Sequence, residues 1–175
     1  MSELEEAAQR VAAGDRAAFE AIVRSTQAPL LRAAARVLGS REEALDVLQD
    51  AYLRAFGALL DGSFDGRARV SSWLYRVVMN ASLDALRARR RRPTVPMDDS
   101  EPEAAAPGTE ARIALSELAR MLDVLPEEQR AALVLRELEG LSNAEVAEVL
   151  ETTEGAIEQR LMRARATLRR RFDDR

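Results

Sequence analysis

The sequence predicts an all-α protein: two small helical domains joined by a flexible, acidic, proline-rich linker, the second containing a helix-turn-helix. Three observations predict it. Hydrophobic residues make up 47% of the 175 and charged residues 32%, so the chain can fold, while aromatics are only 4%. Alanine, leucine, arginine and glutamate dominate, which favours helix over strand. Apolar residues recur at three- and four-residue spacing between capping and breaking signals. The stretch 93–109 holds four of the six prolines and shows no apolar period, as a linker should. The expected division is 1–92, a linker at 93–110, and 111–175, two domains small enough to bury only a modest fraction of their surface.

In the first domain, Gly14-Asp15 interrupts an opening helix and Asp15 is placed to cap the next. Gly39-Ser40 closes the segment that begins near Phe19. Ser40-Arg41-Glu42-Glu43 has the spacing of a capping box. The helix after it offers Leu45, Leu48, Tyr52, Ala55 and Phe56 as a core stripe and turns Asp46, Gln49, Asp50, Leu53 and Arg54 outward. Asp61-Gly62 and Asp65-Gly66 mark a loop. A helix from about Ser71 to Arg91 then carries Leu74, Val77, Val78, Ala81 and Ala85 inward, with Arg76, Asn80, Asp84, Arg87 and Trp73 on its polar side.

In the second domain a helix is expected near Arg112 to Leu122. Pro126 starts the next, in the first-turn position proline tolerates, and Gly140 ends it. Ser142-Asn143-Ala144-Glu145 is a second capping box, opening a short helix to about Leu150. Glu151-Thr152-Thr153 links it to a last helix whose buried stripe is Ile157, Leu161, Ala164 and Leu168.

Composition excludes whole classes of chemistry. Without cysteine there are no disulfides, thiolate metal sites or thiol nucleophiles, and without histidine the commonest general base and metal ligand are missing. No cofactor, metal or catalytic residue is expected. No apolar run is long enough to span a bilayer, and the acidic opening Met1-Ser-Glu-Leu-Glu-Glu6 is unlike a secretory signal. A cytoplasmic protein without membrane insertion is expected.

The net charge of -4 hides strong segregation. From Arg76 to Arg92 six arginines face one acid, and from Gly155 to Arg171 six again face one, each a net +5; between them Asp98 to Glu110 carries five acids and no base. Two basic patches flank an acidic stretch.

Three constellations follow. Leu141 to Arg171 has a capped helix, a three-residue turn and a longer basic helix, the layout with which a brace helix sets a second helix into a major groove. Thr153 caps that helix beside Gly155, and Gln159, Arg160 and Arg163 are candidates for base edges or phosphates. DNA binding is the better reading than a plain helical hairpin, although Glu158 opposes phosphate. Ser71 to Arg92, with Trp73 beside a loop bearing Phe64, has the stacking and basic groups that hold single-stranded bases; on composition alone Trp73 as a core anchor, with the arginine run as a soluble helix end, is slightly the better reading. The outer face of Asp46 to Phe56 suits either a helix-to-helix protein contact or plain solvation, and the residues alone leave both open.

Asp46-Val-Leu-Gln-Asp-Ala-Tyr-Leu-Arg-Ala-Phe56, Ser72-Trp-Leu-Tyr-Arg-Val-Val-Met-Asn80 and Leu83-Asp-Ala-Leu-Arg87 resemble domain two of the extracytoplasmic-function sigma factors of bacterial RNA polymerase. Leu125-Pro-Glu-Glu-Gln-Arg130, Leu141-Ser-Asn-Ala-Glu-Val-Ala147 and Glu154-Gly-Ala-Ile-Glu-Gln-Arg-Leu-Met-Arg-Ala-Arg165 resemble their domain four. The resemblance implies that Asp46, Gln49, Asp50, Leu53 and Arg54 bind the polymerase core. It implies that Phe64, Trp73, Arg76, Asn80 and Arg87 melt and hold the −10 element. Thr153, Gly155, Gln159, Arg160 and Arg163 would read the −35 element. It further implies promoter DNA and a separate anti-sigma factor as partners, and a chain expected to be monomeric when free. A helix-turn-helix regulator acting without polymerase is the alternative; it would leave Asp46–Phe56 and Trp73–Asn80 without a role.

Overall fold

A computed structural model describes residues 2–91 and 109–173. The expected linker lies outside them, except Thr109 and Glu110, whose backbone begins a helix. The described elements are α1 (Glu3–Ala12), a 3-10 turn (Arg16–Ala18), α2 (Phe19–Leu38), α3 (Arg41–Leu60), α4 (Val70–Arg91), α5 (Thr109–Leu122), α6 (Glu127–Leu133) continuing through a π turn (Val134–Leu138), α7 (Asn143–Val149) and α8 (Glu154–Asp173). No strand occurs among the described residues.

Helix boundaries follow local chemistry. Ser40 caps α3 by accepting from the Glu43 amide at 3.2 Å, but Glu43 does not return the bond; its carboxylate lies 3.7 Å from Arg89. The capping box expected there is half made. Asp15 forms no full side-chain cap bond either; Arg10 holds one oxygen of its carboxylate at 2.6 Å, and the Ala17 and Ala18 amides lie close to it. That ion pair keeps the Asp15 carboxyl below the usual carboxylate range.

Helix α2 is the hub of the first half, packed by α1, α3 and α4. It buries Ile22, Leu30, Ala33, Ala34, Val37 and Leu38, and the alanines let its neighbours approach closely. On α3 the buried stripe is Ala44, Leu48, Ala51, Ala55 and Leu59. The expected stripe of larger residues is therefore displaced: Leu45 is exposed, and Tyr52 and Phe56 are half-buried. Small residues form the contact, and the large ones flank it.

Helix α4 is buried along two walls. Residues advance about 100° around an α-helix, so Val70, Leu74, Val78 and Ser82 form one wall, while Tyr75, Met79, Leu83 and Leu86 form another beside it. The first matches the expected inward stripe in part: Val77, Ala81 and Ala85 are only half-buried. The second exists because α4 packs on α6 and α7 as well as on α2 and α3. The two sets of helices thus share one hydrophobic cluster.

Polar ties cross the same boundary. Arg130 of α6 is 1% exposed; it donates to the Val37 carbonyl at 3.1 Å and to Asp123 at 2.5 Å. Arg36 of α2 donates to the Leu138 carbonyl at 2.9 Å and pairs with Glu139 at 2.5 Å, whose side chain is only 4% exposed. Arg90 of α4 reaches the Leu125 carbonyl and Glu127. Tyr75, on the α4 wall, has its phenol pKa pushed up by burial and by the nearby Glu139 charge.

Gly39 ends α2 with φ 76°, a left-handed conformation that glycine adopts freely. A Cβ there would also meet Ala119 of α5 well inside van der Waals contact. Gly39→Ala therefore combines backbone strain with overpacking at the α2–α5 crossing. We expect it to lower unfolding stability by about 2–4 kcal/mol in urea titration; an unchanged midpoint would mean that α5 does not rest there.

Candidate nucleic-acid and protein interfaces

Three surfaces present the residues singled out from the sequence. On α3, Asp46, Gln49, Asp50, Leu53 and Arg54 are all exposed on the side away from Ala44, Leu48 and Ala55. A groove of about 650 Å³ runs beside this face between α2 and α3, lined by Phe19, Val23, Leu45, Tyr52, Leu53 and Phe56. Phe19 meets Tyr52 edge-on with centroids 6.0 Å apart and Phe56 at 5.0 Å, and Tyr52 shares a 2.7 Å hydrogen bond with Thr26. These contacts fix the groove wall. Leu53 remains 65% exposed, an apolar side chain among charges.

On α4, Trp73, Arg76, Asn80 and Arg87 fall within an arc of about 60°. Asn80 and Arg87 are exposed, and Arg87 holds Asp84 at 3.1 Å. Trp73 is neither a core anchor nor free. It is half-buried and stacks against Phe64 of the preceding loop, centroids 4.4 Å apart and planes 33° from parallel. The Phe64 amide donates to the Ala58 carbonyl at 3.1 Å, which ties the loop to the end of α3. Arg76 sits at the edge of the arc nearest α7. It pairs with Glu151 at 3.3 Å, and its Nε is buried with no acceptor among the described residues.

In the helix-turn-helix, Ser142 and Glu145 form the full capping box: the Ser142 hydroxyl accepts from the Glu145 amide at 3.2 Å, and the Ser142 amide donates to Glu145 at 2.8 Å. The Ser142 amide, and the Ser142 hydroxyl that also donates to the Glu145 carboxylate at 2.8 Å, hold that carboxyl below its ordinary pKa. Thr153 caps α8, accepting from the Ala156 amide at 3.2 Å. Ile157, Leu161 and Ala164 are buried as expected, and Leu168 is half-buried.

The outer face of α8 exposes Gly155, Gln159 and Arg163. Arg160 differs: it turns sideways to Glu128 of α6 at 2.6 Å, with its side chain 24% exposed. Arg165 is likewise drawn to Glu137. The fold thus sorts the arginines of α8, tying the flanking ones to α6 and its π turn. Two further residues share the outer face, Met162 at 63% exposure and Arg170. An exposed methionine between Gln159 and Arg163 adds an apolar group suited to a base methyl. Only its position three residues after Gln159 signalled it. Glu151 was also not predicted as a partner for Arg76, since no local pattern links residues 75 positions apart.

Comparison with known proteins covers both halves. Residues 22–92 match the family model of sigma-70 region 2, and residues 115–168 match that of sigma-70, region 4. The ECF RNA polymerase sigma factor SigM of Mycobacterium tuberculosis is 43% identical over 159 residues, 90% of this chain and 79% of that protein. The RNA polymerase sigma-H factor of Pseudomonas aeruginosa is 34% identical over 176 residues, 91% of this chain and 89% of its own. Among solved structures, CnrH in complex with the cytosolic domain of CnrY superposes with a TM-score of 0.76 at 29% identity, over 99% of each chain.

The capping box gives a test of the brace helix. Ser142→Ala should cost about 1 kcal/mol at neutral pH. Because the Glu145 pKa is lowered in the folded chain, its contribution is complete above the ordinary carboxylate range and fades as pH falls through it. The deficit of Ser142→Ala should therefore narrow in acid, read by urea unfolding at several pH values; a pH-independent deficit would exclude Glu145 from the cap.

Proposed function

The chain belongs to the extracytoplasmic-function sigma factors of the sigma-70 family, and from that premise we propose which of its residues do the work. It is a sigma factor, which binds RNA polymerase core and directs promoter-specific initiation by recognising −35 DNA and melting −10 DNA. The observation that carries this is the whole-chain match, with region 2 and region 4 in order and a 43% identical sigma factor aligned along 90% of the sequence. A helix-turn-helix regulator acting without polymerase is not favoured, since it leaves the matched residues 22–92 unexplained. The relatives are transcription regulators rather than enzymes.

The roles we assign rest on exposure and chemistry. Asp46, Gln49, Asp50, Leu53 and Arg54 form the core-polymerase face, with carboxylates and a guanidinium around the apolar Leu53. Such a patch accepts an amphipathic partner helix, and the adjoining groove extends it.

Phe64, Trp73, Arg76, Asn80 and Arg87 form the −10 surface. Extruding a base from the duplex costs a few kcal/mol, which stacking on an aromatic ring offsets. Trp73 offers that ring once Phe64 moves aside, while Arg76 and Arg87 offer charge to the backbone.

Thr153, Gly155, Gln159 and Arg163 form the −35 surface, with Thr153 and Gly155 at the positive end of α8 where backbone amides face phosphate. Gln159 and Arg163 are suited to adenine and guanine edges respectively. Arg160 joins them only by releasing Glu128.

We assign residues 1–92 to the first domain, 93–110 to the linker and 111–175 to the second. An anti-sigma protein is the proposed restraint, by analogy with the similarly folded sigma factor RpoE, solved in complex with the anti-sigma factor NepR from Bartonella quintana. No helix among the described residues is long and apolar enough to cross a membrane. We place the protein in the cytoplasm, monomeric when free, where core polymerase is its substrate for assembly.

In vitro transcription tests the assignment. Purified protein and bacterial core enzyme, given fragments of the source genome, should yield defined starts that depend on the protein. Asp50→Arg should abolish both the starts and co-elution with core. Arg163→Ala should weaken promoter use about tenfold and relax preference at one −35 position, as expected for a bidentate base contact worth about 1–3 kcal/mol. Starts that persist with Asp50→Arg would remove α3 from the core interface.

A further inference from the structure

We propose that Glu151, in the turn of the helix-turn-helix, is an internal latch: it holds Arg76 of α4 and keeps the two halves closed on each other until polymerase or promoter phosphate displaces it. The inference rests on the sigma-factor reading and adds a restraint built into the chain itself.

The backbone gives the first reason. Glu151 is the one non-glycine residue with positive φ among the described residues, at 49°. Its Cβ crowds the backbone there, a steric cost that glycine avoids. A side chain kept at such a position has a use for its atoms, and the Glu151 carboxylate meets Arg76 at 3.3 Å across the boundary between the halves.

The second reason is where Arg76 lies. It shares an arc of α4 with Trp73, Asn80 and Arg87, and it adjoins the wall of Tyr75, Met79, Leu83 and Leu86 buried by the second half. While Glu151 holds it, its charge is offset by a carboxylate, the same kind of group that a DNA phosphate presents. Glu151 therefore competes directly with nucleic acid.

The third reason is that the hold is loose. A guanidinium has five donors in a fork suited to two oxygens. Glu151 engages one nitrogen, at a long distance; it is 60% exposed, and Arg76 Nε has no acceptor among the described residues. A phosphate that accepts two short bonds displaces such a contact readily. The buried ties, Arg130 to Val37 and Arg36 to Glu139, hold the halves from within, and Glu151 adds a contact at the exposed edge of the same boundary, the one within reach of a competing anion. The closed arrangement is also the one adopted along the whole of CnrH in complex with CnrY, at a TM-score of 0.76. In this chain, the contacts that maintain it lie within the chain itself.

The absence of cysteine makes a direct test simple. Cysteines introduced at Glu42 on α3 and Arg169 on α8, both exposed, would carry a donor and acceptor dye on the full chain. Glu151→Gln and Glu151→Arg should raise the open-to-closed ratio of the free protein about two- to fivefold. Glu151→Gln should tighten its binding to a promoter fragment, mapped by core-dependent transcription, by a similar factor. The exchange Arg76→Glu with Glu151→Arg should restore the closed distance without restoring DNA binding, which a general loosening of the fold would not do. Wild-type dye distances and wild-type DNA affinity in both single variants, with core-dependent starts intact, would overturn the latch alone. Absence of any core-dependent start with the wild-type chain would overturn the sigma reading on which it rests.

Discussion

The fold depends on how the last turn of α2 is satisfied. A helix leaves its final carbonyls without partners and concentrates partial negative charge there. Here arginines from elsewhere in the chain complete that end. Arg130 donates to Val37, Arg89 donates to Leu38, and only the Gly39 amide closes a bond within the local chain. Arg130 is nearly inaccessible and also holds Asp123 just beyond α5, so one guanidinium joins α2, α5 and α6. The Asp123 side chain is half open to water, which lessens the desolvation that a fully buried pair would suffer. Remove that socket and the second half keeps on the hub helix only Arg36 with its partners Leu138 and Glu139 and the apolar contacts of α5.

From this anchor the division of labour among arginines follows. Those facing the boundary or flanking α8 are engaged: Arg36, Arg76, Arg89, Arg90, Arg130, Arg160 and Arg165 each hold a carbonyl or carboxylate. Gln159, Arg163 and Arg170 face outward from α8 instead. A chain whose net charge is only -4 thereby turns cations outward on α8, at Arg163 and Arg170, while on α4 Arg76, Arg87, Arg89 and Arg90 each face a carboxylate.

The sequence made the helices legible because each is punctuated locally. Gly39, Ser142 with Glu145, Gly140 and the apolar period of α8 all act within a few residues, and each element stands close to its expected place. The α3 stripe is not legible from periodicity, which favours large apolar residues, whereas alanines make the close contact and Leu45, Tyr52 and Phe56 line a groove. The second wall of α4 was hidden for a different reason. Tyr75, Met79, Leu83 and Leu86 become interior only when the second half arrives, and nothing in α4 itself announces that. The candidate surfaces were legible as outward faces. The engagement of Arg76 by Glu151 and of Arg160 by Glu128 was not, since such pairs join distant positions that no local spacing couples.

The stack of Phe64 on Trp73 has an optical consequence. The chain contains one tryptophan, so its indole emission comes from a single point on the surface of α4. That point lies beside the exposed Asn80 and Arg87, and its present neighbour is a phenylalanine ring on a loop rather than a core residue. Any event that exchanges the phenylalanine for another group, or for water, changes the indole's surroundings, and with excitation selective for indole over the two tyrosines no second tryptophan competes. The protein thus contains its own reporter for the separation of Trp73 from Phe64, with no dye to attach.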